Sequence, residues 1–135
     1  MLILTDGDQT PLGAIISPAN HHESRHIERL LDSSVVELPA PCRLIYDTAA
    51  DSDPLRERLA ERGVELISPH RSNRVKSPTQ DGRKLRRYKR SHWKVERTNA
   101  WLHNYGRFII RKDRLGILFL GWTQLACLFT ILKRF

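Results

Sequence analysis

A strand, a helix and a second strand follow one another within residues 42–68. The apolar run "CRLIYD" closes on Asp47. A helical pattern follows, with Pro54 near its first turn and Gly63 at its end, and "VELIS" (64–68) is again strand-like. A short connection that contains a helix joins parallel strands of one sheet. The segment therefore predicts a βαβ unit and an α/β fold with parallel pairing.

Further elements lie on both sides of this unit. "LILT" (2–5) and "LGAIIS" (12–17) flank a turn that contains Asp-Gly and Pro, which is typical of a hairpin. Apolar residues at helical spacing predict a helix within 23–34 and another from about 85 to 105. At 135 residues the chain fits a single domain, 1–135.

Two segments are distinguished by composition. Residues from about 69 to 84 contain Pro, Gly, Ser, Asn and cations without apolar periodicity, which indicates a mobile basic loop. The C-terminal segment, about 115–133, contains a long uncharged apolar stretch, close to the shortest length that spans a membrane. Its glycines, threonines and glutamine favour a helix buried against the sheet over a membrane span.

Charge is divided unevenly along the chain. Residues 1–70 contain 12 Asp/Glu and 6 Lys/Arg, whereas residues 71–114 contain 3 Asp/Glu and 15 Lys/Arg. The net charge of +8 favours an anionic partner, most often nucleic acid. A phosphate-handling enzyme and a merely basic surface are both consistent with this division. The two cysteines lack CxxC spacing, which predicts a reduced intracellular protein without structural zinc.

Asp6 and Asp47 each end a strand-like run. Strand ends of the same sense meet at one edge of a sheet, so these carboxylates are expected to lie close together. They would repel one another unless a divalent cation joined them, and Mg²⁺ prefers such oxygen ligands. Asp8, Asp51 and Asp53 are interpreted instead as turn and cap residues.

Glu96 is the third candidate carboxylate. On a helix its neighbours three and four positions away are His92, Trp93, Asn99 and Ala100, so no Lys or Arg is placed to pair with it. Its face, shared with Trp93 and Ala100, is predicted to turn toward the sheet. An inward acid needs a compensating charge. A metal shared with the two aspartates and an arginine from the basic loop both meet that need.

Two tryptophans flank this glutamate. Trp93 and Trp101 lie eight residues apart on the predicted helix, which favours core packing. Stacking on nucleic-acid bases is the alternative, because aromatic side chains among cations bind single strands in this way.

Three blocks of the chain resemble, in order, the DDE transposases of the insertion sequence 5 family. They are "LTDGDQTPLGAIISPANHHES", "YDTAADSDPLRERLAERGVELISP" and "HWKVERTNAWLHNYGRFIIRKDR", and together they cover nearly the whole chain. The last block is quite specific through Trp93, Glu96, Arg97, Trp101 and Leu102. The resemblance implies a ribonuclease H-like mixed sheet flanked by helices. It also implies that Asp6, Asp47 and Glu96 are catalytic and bind two Mg²⁺ ions, with Mn²⁺ as an alternative.

The same resemblance implies a function. It is phosphodiester hydrolysis and strand transfer at insertion-sequence ends, with terminal inverted repeats and target DNA as partners and a homo-oligomer formed on the DNA. A cytoplasmic, nucleoid-associated bacterial protein is expected. The cations expected to bind the DNA backbone are Arg71, Arg74, Lys76, Arg86, Arg87, Lys89, Arg90, Lys94 and Arg97.

The resemblance also has a limit and leaves alternatives. Family members carry an N-terminal helical region that has no counterpart here, so the chain is expected to be the catalytic portion. An upstream-encoded N-terminal chain is then an expected partner. An inactive DNA-binding remnant and a basic single-span membrane protein are the two competing interpretations.

Overall fold

Helices and strands alternate along the chain in a mixed α/β arrangement, as predicted. The computed structural model describes residues 1–18, 22–106 and 113–133. The strands are β1 (Leu2–Thr5), β2 (Pro11–Ile15), β3 (Cys42–Ile45) and β4 (Val64–Ile67), and the helices are α1 (Ile27–Asp32), α2 (Asp53–Glu61), α3 (Gly82–Ser91), α4 (Trp93–His103) and α5 (Gly116–Leu132). Short 3₁₀ turns cover Glu23–His26 and Thr48–Ala50.

The predicted βαβ unit is confirmed. Strands β3 and β4 pair in parallel, with Leu44 opposite Leu66. Helix α2 connects them and packs on β4 through Leu55 and Leu59, which are 1% and 0% exposed. Gly63 ends this connection at φ +72°, where its N–H donates to the carbonyl of Ala60 at 2.9 Å. A residue with a Cβ is strained at that φ, so glycine suits the position.

The predicted hairpin is also confirmed, since β1 and β2 pair antiparallel. Alternation along β1 sends side chains to two separate cores. Leu2 and Leu4 enter the main core with α1 and α2, whereas Ile3 packs on the opposite side against Leu102 of α4 and Cys127 of α5. The hairpin therefore has helices on both faces, and one of them is the helix that carries Glu96.

The strands do not pair with one another as a single mixed sheet would require. In the described residues the strands form two two-stranded sheets, β1–β2 and β3–β4. A cavity of about 530 Å³ is lined by residues of both β1 and β3. The α/β class is therefore shown, whereas the ribonuclease H-like arrangement stays a prediction.

The helix predicted over 85–105 is divided at His92 into α3 and α4. The indole N–H of Trp93 donates to the carbonyl of Arg90 at 3.0 Å. In a continuous helix that carbonyl would accept the N–H of Lys94, so the tryptophan competes with the regular pattern at the boundary. Residues 69–81 contain no regular element, in agreement with the predicted loop, and α3 already begins at Gly82.

Helix α5 confirms the predicted C-terminal helix. Its buried side chains are Phe119, Thr123, Ala126, Cys127 and Thr130, and it packs on β2 and α4. Within residues 1–18, 22–106 and 113–133, no helix is both long enough and apolar enough to cross a membrane. The single-span interpretation is therefore not favoured.

Candidate active site

Asp6 follows β1 directly and shapes the turn that leads to β2. Its Oδ1 accepts the backbone N–H groups of Asp8 and Thr10, each at 2.8 Å. The turn also contains Gln9 at φ +69°, in the left-handed region. These two hydrogen bonds fix the orientation of the Asp6 carboxylate through one oxygen, and no group in the described residues donates to its Oδ2.

Asp47 is fixed at the corresponding end of β3. Its Oδ1 accepts the N–H of Ala49 at 2.8 Å, which caps the 3₁₀ turn. The hydroxyl of Ser68 donates to the Asp47 carbonyl at 2.6 Å, and the N–H of Tyr46 donates to Ile67 at 3.0 Å. The end of β4 therefore holds the Asp47 backbone, while the second carboxylate oxygen is left for other ligands.

Helix α4 lies over the turn that carries Asp6. The Lys94 ammonium donates to the carbonyl of Gly7. The hydroxyl of Thr98, which is 0% exposed, donates to the carbonyl of Gln9 at 3.3 Å. These contacts bring the helix of Glu96 to the end of β1, as the hypothesis of a shared site requires.

The predicted orientation of Glu96 is wrong. Trp93 and Glu96 are exposed, the Glu96 side chain by 67%, and the buried side of α4 carries Thr98 and Leu102 instead. The prediction that Trp93 packs in the core is also wrong, because this residue is 45% exposed. The glutamate also has a local partner, because His92 Nδ1 lies 3.6 Å from its Oε1 and forms an ion pair when protonated.

The three candidate carboxylates nevertheless line one cavity. Asp6, Asp47 and Glu96 all contribute to the 530 Å³ space, which β1, β3 and α4 surround. They come from three elements that are distant in sequence. The fold therefore places all three predicted acids in the lining of the same cavity.

Tyr88 on α3 is a residue of this site that the sequence analysis did not single out. Burial raises the pKa of its phenol, and the negative charges of Asp47 and Glu96 raise it further. Its ring lies 4.7 Å from that of His92, four residues later. The only available signal in the sequence was the spacing of residues 88, 92 and 96, which places all three on one side of the helix predicted over 85–105.

The acids fit a metal in chemistry but do not form a closed set of ligands. Carboxylate oxygens are the ligands that hard divalent cations prefer. Asp6 and Asp47 each use one oxygen in a turn and keep the other available. In the part of the chain that the structure describes, no three His, Cys, Asp or Glu side chains are grouped closely enough to hold a metal ion.

The predicted DNA-binding cations on α3 form one basic surface. Arg86, Arg87, Lys89 and Arg90 line an open depression together with Arg83, and all five are exposed. None of them forms an ion pair with a carboxylate of the described residues. Five exposed positive charges on one helix are typical of a surface that binds a polyanion.

The cations of the preceding loop are used differently. The Arg71 guanidinium donates to the carbonyls of Thr48 at 3.2 Å and Ala49 at 3.3 Å. The Arg74 guanidinium binds the Asp53 carboxylate at 2.9 and 3.1 Å. These arginines attach the 69–81 loop to the rest of the fold, so their predicted role in DNA binding stays a prediction.

Three other predicted DNA contacts lie outside α3. Lys76 is exposed in the loop, and Lys94 binds the Asp6 turn as described above. The Arg97 guanidinium lies over the rings of Trp93 and Trp101, 5.7 and 5.1 Å from their centroids. This exposed stack borders Glu96, and its contact with DNA stays a prediction.

Asp51 lies at the centre of a network of ion pairs. Its side chain is 3% exposed and contacts Arg56 at 2.9 Å, His70 at 2.9 Å and Arg74 at 3.4 Å. Burial alone would raise the pKa of Asp51. The Arg71 backbone N–H and the His70 and Arg56 side chains outweigh burial and lower that pKa from 3.8 to about 2. Asp51 is therefore a structural acid, with more partners than a turn residue needs.

Comparison with known proteins gives two matches. The family model described as "Transposase DDE domain" matches residues 1–130. A putative transposase for insertion sequence element IS402 from Burkholderia cepacia is 33% identical over 133 residues, covering 93% of this chain and 58% of the relative. The chain thus spans somewhat more than half the length of that relative. No solved structure matches the chain.

Proposed function

Since its match to the family model covers residues 1–130, this chain belongs to the transposase DDE domain family, and we propose that it cuts and joins DNA at insertion-sequence ends. Asp6, Asp47 and Glu96 are the proposed catalytic residues. One observation carries the proposal: carboxylates from three separate elements line the same cavity. A shared cavity wall is what a reaction at a single phosphodiester needs.

The proposed cofactor is Mg²⁺, with two ions expected and Mn²⁺ as a substitute. Asp6, Asp47 and Glu96 would hold these ions. When bound, they would activate a water or a 3′-hydroxyl and stabilise the leaving oxygen. The turns at Asp6 and Asp47 keep one oxygen of each carboxylate oriented, so less ordering remains for the metal to impose.

Tyr88 and His92 are proposed to position the DNA rather than to bind metal. The phenol of Tyr88 is protonated at neutral pH even at the ordinary tyrosine pKa of about 10, and burial and the charges of Asp47 and Glu96 raise its pKa further. A protonated phenol next to Asp47 and Glu96 is a hydrogen-bond donor suited to a phosphate oxygen. His92 stacks near it and pairs with Glu96, so it orients that carboxylate.

The α3 cations are proposed to bind the DNA backbone. Their side chains are exposed and have no ion-pair partner in the described residues, so they can neutralise phosphates without breaking internal contacts. They lie on the helix that also carries Tyr88. DNA bound along α3 would thus run beside the cavity with the three acids.

The test uses the purified chain and a duplex that contains a terminal inverted repeat of its own element. We expect Mg²⁺-dependent cleavage that Glu96→Gln reduces to background. The matched control is Glu61→Gln, which removes another exposed glutamate, at the end of α2. Undiminished cleavage by Glu96→Gln would contradict the assignment.

An inactive DNA-binding remnant is the second candidate. The lack of a grouped metal site in the described residues favours it. It predicts salt-dependent DNA binding that is unaffected by Glu96→Gln, together with no metal-dependent cleavage. Assembly of several copies on DNA, an upstream-encoded N-terminal partner and a cytoplasmic, nucleoid-associated location belong to the same proposal as the enzyme.

A further inference from the structure

Lys94 differs from the cations of α3, because its ammonium is used within the fold. It donates to the carbonyl of Gly7, in the turn between β1 and β2. The residue is half-buried, and it forms no ion pair with a carboxylate of the described residues. Lys89 on the α3 surface, by contrast, is exposed. Lys94 therefore attaches α4 to the turn that carries Asp6.

Thr98 contacts the same Asp6 turn. It lies four residues after Lys94, on the same side of α4, and it is 0% exposed. Its hydroxyl lies 3.3 Å from the carbonyl oxygen of Gln9 and 3.2 Å from that of Lys94. Two donors of one helix therefore face two carbonyls of one turn, and Glu96 lies between these donors on α4.

These two carbonyls belong to the two peptide groups that hold the Asp6 carboxylate. The Gly7 carbonyl and the Asp8 N–H are parts of one peptide group. The Gln9 carbonyl and the Thr10 N–H are parts of the other. Both N–H groups donate to Asp6 Oδ1, each at 2.8 Å. Since the carbonyl and the N–H of a trans peptide point in opposite directions, each peptide group links Asp6 to a donor of α4.

A peptide group that is bonded at both ends couples the position of α4 to the orientation of the Asp6 carboxylate. The planar group is rigid, so a donor at its carbonyl restricts the direction of its N–H. Hydrogen bonds in such a chain also polarise one another, and a charged donor makes the strongest of them. Without Lys94, the peptide group between Gly7 and Asp8 would be held at one end only. The orientation of the Asp6 carboxylate would then be less restricted, and so would the distance between Asp6 and Glu96.

We propose that Lys94 is a positioning residue of the candidate active site, which orients the Asp6 carboxylate through the peptide group after Gly7 and does not bind the DNA backbone. Thr98 has the same role at the second peptide group. The proposal rests on the proposed function only in taking Asp6 as a metal ligand. An ammonium that is half-buried and already bound to a carbonyl is a poor contact for a phosphate, in contrast to the exposed cations of α3.

The first test measures hydrogen exchange of the Asp8 and Thr10 amides by NMR, in the full chain without metal or DNA. Lys94→Met removes the charged donor and keeps a side chain of similar length. We expect the Asp8 amide to exchange about tenfold faster, because a hydrogen bond from a charged group contributes about that factor, and the Thr10 amide to change less. Lys94→Arg keeps a charged donor and should restore slow exchange. Lys89→Met is the matched control and should leave both amides unchanged.

The second test compares the same variants in DNA binding and in Mn²⁺ binding. Lys94→Met should leave the slope of log DNA-binding constant against log salt unchanged, whereas Lys89→Met should make it less steep by about 0.9. Mn²⁺ binding, measured by electron paramagnetic resonance, should weaken at least about tenfold in Lys94→Met, as is typical when a group that orients a metal ligand is lost. The loss of a positive charge alone would have the opposite effect and strengthen Mn²⁺ binding.

Three results overturn the proposal. They are unchanged exchange of the Asp8 amide in Lys94→Met, a salt slope that falls as far as in Lys89→Met, and tighter Mn²⁺ binding. Faster exchange throughout the chain, in place of a local change at Asp8, would mean a general loss of stability and overturns it too. An original chain that binds no Mn²⁺ contradicts the proposed function instead, and exchange of the Asp8 amide then decides the role of Lys94.

Discussion

Asp47 and Asp51 are separated by only three residues, yet the fold treats them in opposite ways. Asp51 is 3% exposed and contacts Arg56, His70 and Arg74. The Asp47 carboxylate accepts a single backbone N–H, at its Oδ1, and the residue lines the cavity. The difference shows that the chain has cations to neutralise a buried acid and does not place them at the candidate catalytic acid. A carboxylate without fixed counter-charges is the one that remains able to bind metal.

The basic residues divide in the same way. Arg74 is bound by Asp51 and Asp53, whereas Arg86 and Arg87 on α3 have no carboxylate partner in the described residues. Cations next to structural acids stabilise the fold, and cations on α3 remain available for a ligand. The contrast between the two aspartates and the contrast between the two groups of cations both predict that some substitutions lower stability and others lower DNA binding or cleavage.

The largest effect on stability is expected from Asp51→Ala. It leaves the buried Arg56 and its neighbours without their central anion, which should lower the free energy of unfolding by about 3 kcal/mol or more. Urea denaturation followed by circular dichroism measures the loss. If Asp51→Ala unfolds at the same urea concentration as the original chain, the network around Asp51 does not stabilise the fold.

Lowering the pH should also weaken the network around Asp51, with a smaller loss of stability than in Asp51→Ala. The pKa of Asp51 is about 2 in the folded chain and 3.8 when unperturbed. Because the folded pKa is the lower one, ionised Asp51 stabilises the protein above about pH 4, by about 2 kcal/mol. That contribution is lost as the pH falls from about 4 to 2. Between about pH 4 and 2, the free energy of unfolding should depend less steeply on pH for Asp51→Asn than for the original chain. Urea denaturation at several pH values measures both dependences, and equal ones would contradict the role assigned to Asp51.

The local patterns predicted much of this fold. The hairpin, the βαβ unit and the C-terminal helix depend on alternation, on helical spacing and on glycine or proline at the boundaries, all of which act between neighbouring residues. Asp6 and Asp47 were placed at strand ends by the same reasoning. Their approach to Glu96 depends on α4 packing over the turn at Gly7, which no local pattern contains.

The errors came from contacts that override a local pattern. The hydrogen bond from Trp93 to Arg90 accompanies a break in the predicted helix and a change in which residues of α4 are buried. The side of α4 that carries Glu96 is exposed, and Thr98 and Leu102 are buried instead. The sequence analysis also did not predict the ion pair between the loop residue Arg74 and Asp53, which lies 21 residues away, whereas the contact of Arg74 with DNA stays a prediction. Such pairs are visible only once the chain is folded.

DNA-binding measurements test whether the α3 cations, and not the arginines paired with carboxylates, contact DNA. Replacing Arg86 and Arg87 by alanine removes two exposed charges of the α3 surface. The slope of log binding constant against log salt should become less steep by about 2. Arg58→Ala is a suitable control, because that arginine is paired with Glu28 at 3.1 Å. Fluorescence anisotropy with a labelled duplex at several salt concentrations gives both slopes, and equal slopes would remove α3 from the DNA interface.

Asp47→Asn should affect stability much less than Asp51→Ala. The asparagine side-chain oxygen can still accept the Ala49 N–H, so the turn is kept and the loss should stay below about 1 kcal/mol. Metal-dependent cleavage should nevertheless fall to background. If Asp47→Asn destabilised the fold as much as Asp51→Ala does, the two aspartates would have the same structural role and the contrast between them would be lost.

The smallest change in stability is expected for Glu96→Gln. This glutamate is 67% exposed, and its contact with His92 at 3.6 Å is a surface pair between successive helical turns. Such pairs contribute at most about 0.5 kcal/mol, so the urea midpoint should barely change at any pH. Raising the salt concentration should not alter that result, because little electrostatic energy is present to screen. A clear loss of stability in Glu96→Gln would mean that the carboxylate supports the junction of α3 and α4. A cleavage defect in that variant would then report a displaced helix and not a missing ligand.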